Sequence, residues 1–399
     1  MSSPSSNQEI GLEDQLLQKS VDGTFSIPWT HRVRFTHDAF SEGNDVLMAV
    51  VPEDMEQVRL CTVIDEGLLE ARSDLIESLN QWQQRHSPRV QFTGPPVIIP
   101  GGESTKNGWS SFETVAAAIN DQHVCRRSLV LIIGGGAVLD AAGFAASTSH
   151  RGIDVIRMPS TTLSQGDAGI GIKNGINAFG VKNFLGNFSP PLAVINDLSL
   201  LESLDEAHWR GGLSEAVKVA LLKHPPLLDY IEQSSGRLRS RDLSAMETVM
   251  LASARLHMDH IVNGGDPFEN QHARPLDLGH WAAHRIEAIS QWSVPHGDAV
   301  AMGLAIDLEY TVRINRLDRT LVDRVVGCLR SLGFLGSCDY LNDGMAVLKG
   351  MEEFREHLGG RLTIPTITAA GTILELHEID SSIMLEAIAS VNELLSVES

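Results

Sequence analysis

A carboxylate and a group of histidines define the first chemistry open to this chain. Glu215, His280, His284 and His296 are the close grouping of a carboxylate with several histidines in the second half of the sequence. One carboxylate and two imidazoles with an open position form a usual ligand set for a catalytic Zn2+ or a related ion, which holds substrate hydroxyls and polarises a carbonyl. His280 and His284 are four residues apart and share a face on a continuous helix, so spacing alone nominates both. Zinc, cobalt and other divalent ions have overlapping ligand preferences, and the residues do not choose among them. Other histidines, including His31, His257, His260 and His272, lack such company, and His257 and His260 draw notice only by preceding the metal segment.

A second set of residues suits an anion. Lys173, Lys182 and Asn183 place two positive charges and an amide donor between glycines, as a phosphoryl group requires in an acidic protein. A solvated basic loop is the alternative for a lone lysine pair, and the nearby glycine turn favours the phosphoryl reading. That turn is Gly134, Gly135 and Gly136, which follows an apolar run and precedes a stretch holding Asp140 and Gly143. Backbone N–H groups there can approach a pyrophosphate at a helix N-terminus, which suits a dinucleotide. The triplet is not GxGxxG, and the same pattern also occurs as a plain tight turn. Asp65, at the end of an earlier apolar run, suits a ribose hydroxyl or a loop cap equally.

These groups need elements to position them. Residues 33–51 (VRFTHDAFSEGNDVLMAVV) read as two short strands joined by a Gly-Asn turn. Arg59–Ile64 is an apolar strand that hands over at Asp65 to a helix spanning Glu66–Gln84. Val97–Pro100 precedes GGESTK, and Leu129–Ile133 precedes the three glycines. Strands alternating with helices predict an α/β, doubly wound, mainly parallel sheet of Rossmann type through about residue 203. From Asp205 onward helical periodicity takes over, with long stretches at Leu243–His260 and His296–Asn315 and few strand-like runs. The expected division is a flexible extension at 1–28, an NAD-binding α/β domain at 29–203 and a helical metal- and substrate-binding domain at 204–399.

Composition sets the outer limits. At 399 residues the chain is long enough for two domains. Hydrophobic residues make up 43% and charged residues 21%, and no apolar run reaches the roughly 18 to 20 residues of a membrane span. Met1–Asp22 is polar and lacks the pattern of a secretory signal, so a soluble, cytoplasmic protein is expected. Cys61, Cys125, Cys328 and Cys338 form no CxxC pair, which suggests neither a disulfide framework nor a thiolate zinc site. A formal net charge of -20 opposes binding to nucleic acid or anionic membrane.

Residues 151–191 read RGIDVIRMPSTTLSQGDAGIGIKNGINAFGVKNFLGNFSPP. The stretch resembles the 3-dehydroquinate synthase core, in which an RG turn leads to P-[ST]-[ST], an Asp, a GxK and G-x-K-N-x-x-G. GGE at 101–103 with Lys106, GGGAVLDAAGF at 134–144, SEAVK at 214–218, DLGHWAAH at 277–284 and PHG at 295–297 follow in the family's order. DPFE at 266–269, ARPLDLGHWAAH and KNGINAFGVKNFLG are similar to the Ebo-cluster (EboD-like) branch of the sugar phosphate cyclases. The resemblance implies NAD and a divalent metal, Zn2+ or Co2+, held by Glu215, His280 and His296, with His284 left near the phosphate as a proton-transfer group. It implies cofactor contacts at Gly102, Glu103, Lys106, Gly134, Gly135, Gly136, Asp140, Thr161, Thr162 and Lys182, with Asp65 a further candidate. Lys173 and Asn183 handle phosphate, Asp167 and Lys218 hold substrate hydroxyls, and Arg151 reaches the phosphate from a neighbouring subunit, implying a homodimer. The chemistry implied is oxidation by NAD+, loss of phosphate, return of the hydride, and an intramolecular aldol closure.

Several positions depart from the family pattern. Ala273 stands where dehydroquinate synthases carry an arginine, Asp277 replaces an asparagine, and Asp259 falls where a lysine is expected; Arg274 sits one residue off. An Asp beside a substrate carboxylate is repulsive, so an uncharged polyol end fits better and points to sedoheptulose 7-phosphate or a related ketose phosphate. DAG at 167–169 in place of DSS leans the same way, and Arg355 and Arg361 are weaker candidates for a phosphate-closing lysine. The alternatives are a 3-dehydroquinate synthase proper, an iron-type polyol dehydrogenase, which needs no phosphate cradle, and a non-catalytic binder of the same fold.

Overall fold

Strand β5 (Leu129–Gly134) shows how residue alternation builds the sheet. Leu129, Leu131 and Ile133 enter one apolar cluster with Leu79 and Trp82, while Val130 and Ile132 enter another with Val115, Ile119, Val138 and Leu139. A strand covered on both faces has no polar side to show, which is why this run reads as uninterrupted hydrophobic sequence. The computed structural model describes residues 22–268 and 275–396. The extension before residue 22, His272, Ala273, Arg274 and the end of the DPFE motif lie outside the described residues.

The strands are β1 (Val33–Thr36), β2 (Val58–Asp65), β3 (Val90–Phe92), β4 (Val97–Ile99), β5, β6 (Asp154–Pro159), β7 (Lys173–Ala178), β8 (Val181–Phe188), β9 (Ala193–Asp197), β10 (Ile364–Ala369) and β11 (Thr372–Leu376). Seven of them form a sheet in the order β1-β9-β6-β5-β2-β3, with β4 also on β2, and all its pairings are parallel. Antiparallel β7–β8 and β10–β11 stand apart as two hairpins. Helices α1 (Glu66–Ala71), α2 (Leu75–Arg85), α3 (Ser110–Asp121) and α4 (Gly136–Thr148) accompany the sheet. The rest of the chain holds α5 (Glu206–Lys223), α6 (Pro225–Gln233), α7 (Ser235–Arg239), α8 (Leu243–Asn263), α9 (His280–Ile289), α10 (His296–Arg313), α11 (Arg319–Ser331), α12 (Gly344–Leu348), α13 (Gly350–His357) and α14 (Ser381–Ser396). Asp205 and Asp242 cap α5 and α8 by accepting from first-turn N–H groups. Arg32–Ser399 forms one compact unit; Asp22–His31, the described part of the preceding segment, has no helix or strand.

The parallel sheet and helical second half agree with the sequence reading, but two local expectations fail. Residues 33–51 hold one strand, not two. After β1, Asp197 accepts the N–H groups of Asp38 and Ala39 at 3.0 and 2.8 Å, and Asn44 Nδ2 donates to Thr36 Oγ1 and to the carbonyls of His37 and Asp38. These bonds fold the chain into turns, so the second apolar run ends as a short 3-10 turn at Met48–Val50. The helix expected over Glu66–Gln84 breaks at Arg72, whose guanidinium pairs with Asp74 at 3.0 and 3.1 Å, and restarts at Leu75. The four cysteines are free, and no helix among the described residues is long and apolar enough to cross a membrane.

Candidate active site

Three helices deliver the metal-type residues to one point. Glu215 lies within α5, and His280 and His296 are the first residues of α9 and α10. Close backbone approach makes this possible. Gly279, at φ 78°, has no room for a Cβ, which would sit 2.6 Å from Leu304 N, and a Cβ on Gly297 would sit 2.4 Å from the Gly211 carbonyl oxygen. Only glycine tolerates both the left-handed backbone and the contact at position 279. Buried Asp307 on α10 pins this corner by accepting from Gly279 N and Trp281 Nε1, each at 2.7 Å. Burial without a cationic partner pushes the Asp307 carboxyl up to about 7.

The result is a tight triad. Glu215 Oε1 lies 3.2 Å from His280 Nε2 and 3.3 Å from His296 Nε2, and one ligand atom from each residue falls within 4.8 Å of the others. Glu215 Oε2 faces Lys218 Nζ at 2.5 Å. Burial works against a charged Glu215, but Lys218 and His280 hold its pKa well below the carboxylate range. A hard carboxylate oxygen and two imidazole nitrogens converging at this distance are a donor set that fits a divalent cation. His284 lies beside the triad, its ring 5.4 Å from His280 and 6.2 Å from His296. Burial, with Lys182 and His280 adding to it, holds His284 well below the ordinary histidine pKa, so it is neutral.

Glu287 is a site residue that the sequence reading missed. Its Oε1 lies 3.2 Å from His296 Nδ1, and its Oε2 accepts from Lys182 Nζ at 2.9 Å. The available signal was its position seven residues after His280 and three after His284, on the same face of α9. Lys182, expected on the cofactor, pairs with Glu287 and lies 5.1 Å from the Trp292 ring.

A π-helical turn at Ser164–Ala168 presents Asp167, whose Oδ1 lies 3.0 Å from His257 Nε2 on α8. The segment after it is clamped by Arg157, which is 1% exposed. Its guanidinium donates to the carbonyls of Gly169, Gly171 and Lys173 and to Asn174 Oδ1, at 3.3, 2.7, 2.9 and 2.7 Å. Lys173 and Arg151 are exposed. Asp259, on the same helix as His257, is exposed and accepts from Asn263 Nδ2 at 2.7 Å. Arg355 pairs with Glu352 at 3.3 Å, and Arg361 is exposed.

The glycine turn has the form of a nucleotide cradle. Gly135 caps α4 without a side-chain cap, and its N–H donates to Asp65 Oδ2 at 3.3 Å. Added Cβ atoms would lie 2.5 Å from Asp65 Oδ1 at Gly101 and 2.7 Å from Val138 at Gly134. Asp65 Oδ1 also accepts from Gly67 and Leu68 N–H, so the carboxylate caps α1 and fixes the turn at once. Gly102 stands at φ 75° ahead of a 3-10 turn carrying Glu103 and Lys106. Lys106 Nζ meets Asp140 at 2.7 Å and also bonds Asn183 Oδ1, and Asn177 links Glu103 to the Asn183 N–H. Thr161 exchanges bonds with Ser164. Thr162, fully buried, spends its hydroxyl on the His208 carbonyl and Gly212 N–H of α5. These bonds join the turn after β6 to α5.

Family models and curated relatives point to one group. Family models described as 3-dehydroquinate synthase N-terminal and C-terminal match residues 96–211 and 212–353. A 2-epi-valiolone synthase from Actinosynnema mirum is 34% identical over 288 residues, 70% of this chain and 74% of the relative. A 3-dehydroquinate synthase from Pseudomonas putida is 36% identical over 239 residues, 60% of this chain and 65% of the relative. The structure of a 2-epi-5-epi-valiolone synthase from Streptomyces hygroscopicus, solved with NAD+ and Zn2+ bound, superposes with a TM-score of 0.83 at 25% identity, covering 94% of this chain and 99% of that one.

Proposed function

The chain belongs to the 3-dehydroquinate synthase family of sugar phosphate cyclases, which are lyases, and from that premise we propose that it converts a ketoheptose 7-phosphate, sedoheptulose 7-phosphate, to a C7 cyclitol with release of phosphate. Asp277 carries the choice of substrate. It is partly buried three residues ahead of the candidate ligand His280, and in this reading it lines the substrate's far end, where a second carboxylate would be repelled and a polyol hydroxyl accepted. Asp259 faces solvent with Asn263 and adds nothing to that argument. The similarity to a 2-epi-valiolone synthase supports the same reading.

When bound, NAD+ supplies a hydride acceptor and donor, and a divalent ion, Zn2+ or Co2+, supplies Lewis acidity. In this reading Glu215, His280 and His296 hold the ion, with Lys218 keeping Glu215 ionised. Gly102, Gly134, Gly135 and Gly136 let the backbone approach the pyrophosphate, while Lys106, Asp140 and Glu103 fix the cradle. Asp167 and Lys218 hold substrate hydroxyls. Neutral His284 accepts and returns a proton beside the phosphate, which Lys173 and Asn183 bind. We assign Arg151 to the phosphate of a second subunit's site, with residues 29–203 as the NAD-binding domain and 204–399 as the metal- and substrate-binding domain. Phe179, Val181, Phe184 and Phe188, all exposed on the β7–β8 hairpin, support an interface with a second copy.

The test incubates NAD+- and Zn2+-loaded protein with sedoheptulose 7-phosphate and, separately, 3-deoxy-arabino-heptulosonate 7-phosphate. Phosphate release from the first supports the reading; release from the second alone makes the chain a 3-dehydroquinate synthase.

A further inference from the structure

Helix α8 meets the turn carrying Asp167 through two polar side chains. Ser253 Oγ donates to the Gly166 carbonyl at 3.1 Å, and one turn later His257 directs Nε2 at Asp167 Oδ1, 3.0 Å away. The other end of the ring is also held, with Nδ1 at 3.0 Å from the Ser253 carbonyl oxygen. A carbonyl oxygen only accepts, so Nδ1 carries a proton. Nε2 makes no well-aligned hydrogen bond, but it lies 3.0 Å from a carboxylate oxygen with no other partner among the described residues. With Nδ1 protonated, a neutral ring would turn a bare lone pair toward that oxygen, and either a proton on the ring or one on Asp167 relieves the clash. The pair has a closed end and an open end, since the His257 side chain is 5% exposed and that of Asp167 is 29% exposed.

We propose that His257 is the positioning residue for Asp167: an imidazolium anchored on the Ser253 carbonyl that holds the Asp167 carboxylate ionised, leaving its open side to accept a substrate hydroxyl. The inference rests on the reading of Asp167 as a substrate contact. Burial opposes charge on both groups, but their mutual attraction outweighs it, keeping Asp167 below and His257 above its ordinary pKa. Among the other charges, Lys218 on α5 favours ionised Asp167 and disfavours the charged ring, and Glu215 disfavours ionised Asp167. On α8 itself, His260 is engaged with Lys223 at 3.2 Å and Asp259 with Asn263.

The test uses full-length protein loaded with NAD+ and Zn2+, in three variants. His257→Leu removes the donor, His257→Gln keeps a donor that does not titrate, and Asp167→Asn removes the charge. Phosphate release from sedoheptulose 7-phosphate is followed from about pH 5.5 to about 9.5. The expected loss of kcat/KM in His257→Leu is on the order of tenfold or more. His257→Gln recovers most of that loss and lacks the alkaline limb that loss of the ring proton gives the wild type. In 15N NMR the wild-type ring is doubly protonated at neutral pH and becomes neutral in Asp167→Asn. A neutral wild-type ring overturns the inference, as do equal losses in the Leu and Gln variants with an unchanged pH profile. A wild type inactive on every sugar phosphate sinks the substrate reading instead, and the NMR result still decides the role of His257.

Discussion

Glu287 Oε1 lies 3.2 Å from His296 Nδ1, so the imidazole that offers Nε2 to the candidate metal site is gripped from behind by a carboxylate. Such a contact fixes the ring's orientation and raises its basicity as a ligand. Glu287→Gln keeps the shape and removes the charge. Zn2+ affinity, measured by chelator competition, is expected to fall about 10- to 100-fold; unchanged affinity would remove Glu287 from the site.

Burial alone would lower the His296 pKa, but Glu287 and the Glu215 hydrogen bond raise it to about 9 in the metal-free chain. A folded pKa above the unfolded value of about 6.5 gives stability that is complete below pH 6.5 and lost as pH rises through 9. Chelator-treated protein should therefore melt at a lower temperature at pH 9 than at pH 6.5. Zn2+-loaded protein, whose His296 must be deprotonated to bind, should lack this component. Equal slopes for the two forms would contradict the assignment of His296 as a ligand.

Arg157 bonds three carbonyls and one amide oxygen between Gly169 and Asn174. An ammonium group cannot span that set, so Arg157→Lys leaves buried acceptors unpaired at about 1 to 3 kcal/mol each. Denaturant melts should show a loss of several kcal/mol at most. Substrate KM should rise with it, because the clamp fixes the segment that runs from just after Asp167 to Lys173.

If Arg151 serves the partner's site, Arg151→Ala and His284→Ala are each inactive alone but restore one intact site in a mixed dimer. Subunit exchange should return about a quarter of wild-type activity. No recovery on mixing would place Arg151 in its own subunit's site or outside the reaction.

The parts of this site that were legible in the sequence are those signalled by local pattern. Leu129–Ile133 followed by three glycines announced β5 and the turn into α4, and Glu215, His280 and His296 stood out by residue type. Spacing alone also nominated His284, because it could not show that His280 opens α9 behind a left-handed Gly279. Glu287 and Arg157 were silent, and His257 drew notice only by its place in the chain, for a different reason. Each is a buried polar or charged group whose meaning comes from a partner on another element, as with Lys182 and Glu287, 105 residues apart. The break at Arg72 was hidden because a side-chain pair with Asp74, not a glycine or proline, ends α1. Asp259 misled because its place in the motif says nothing about which side of α8 it occupies.

The most direct measurement follows phosphate and NADH together while NAD+- and Zn2+-loaded protein acts on sedoheptulose 7-phosphate. A cyclase that returns its hydride releases one phosphate per sugar consumed with no net NADH. Steady NADH accumulation without phosphate would make the chain a dehydrogenase and contradict the account.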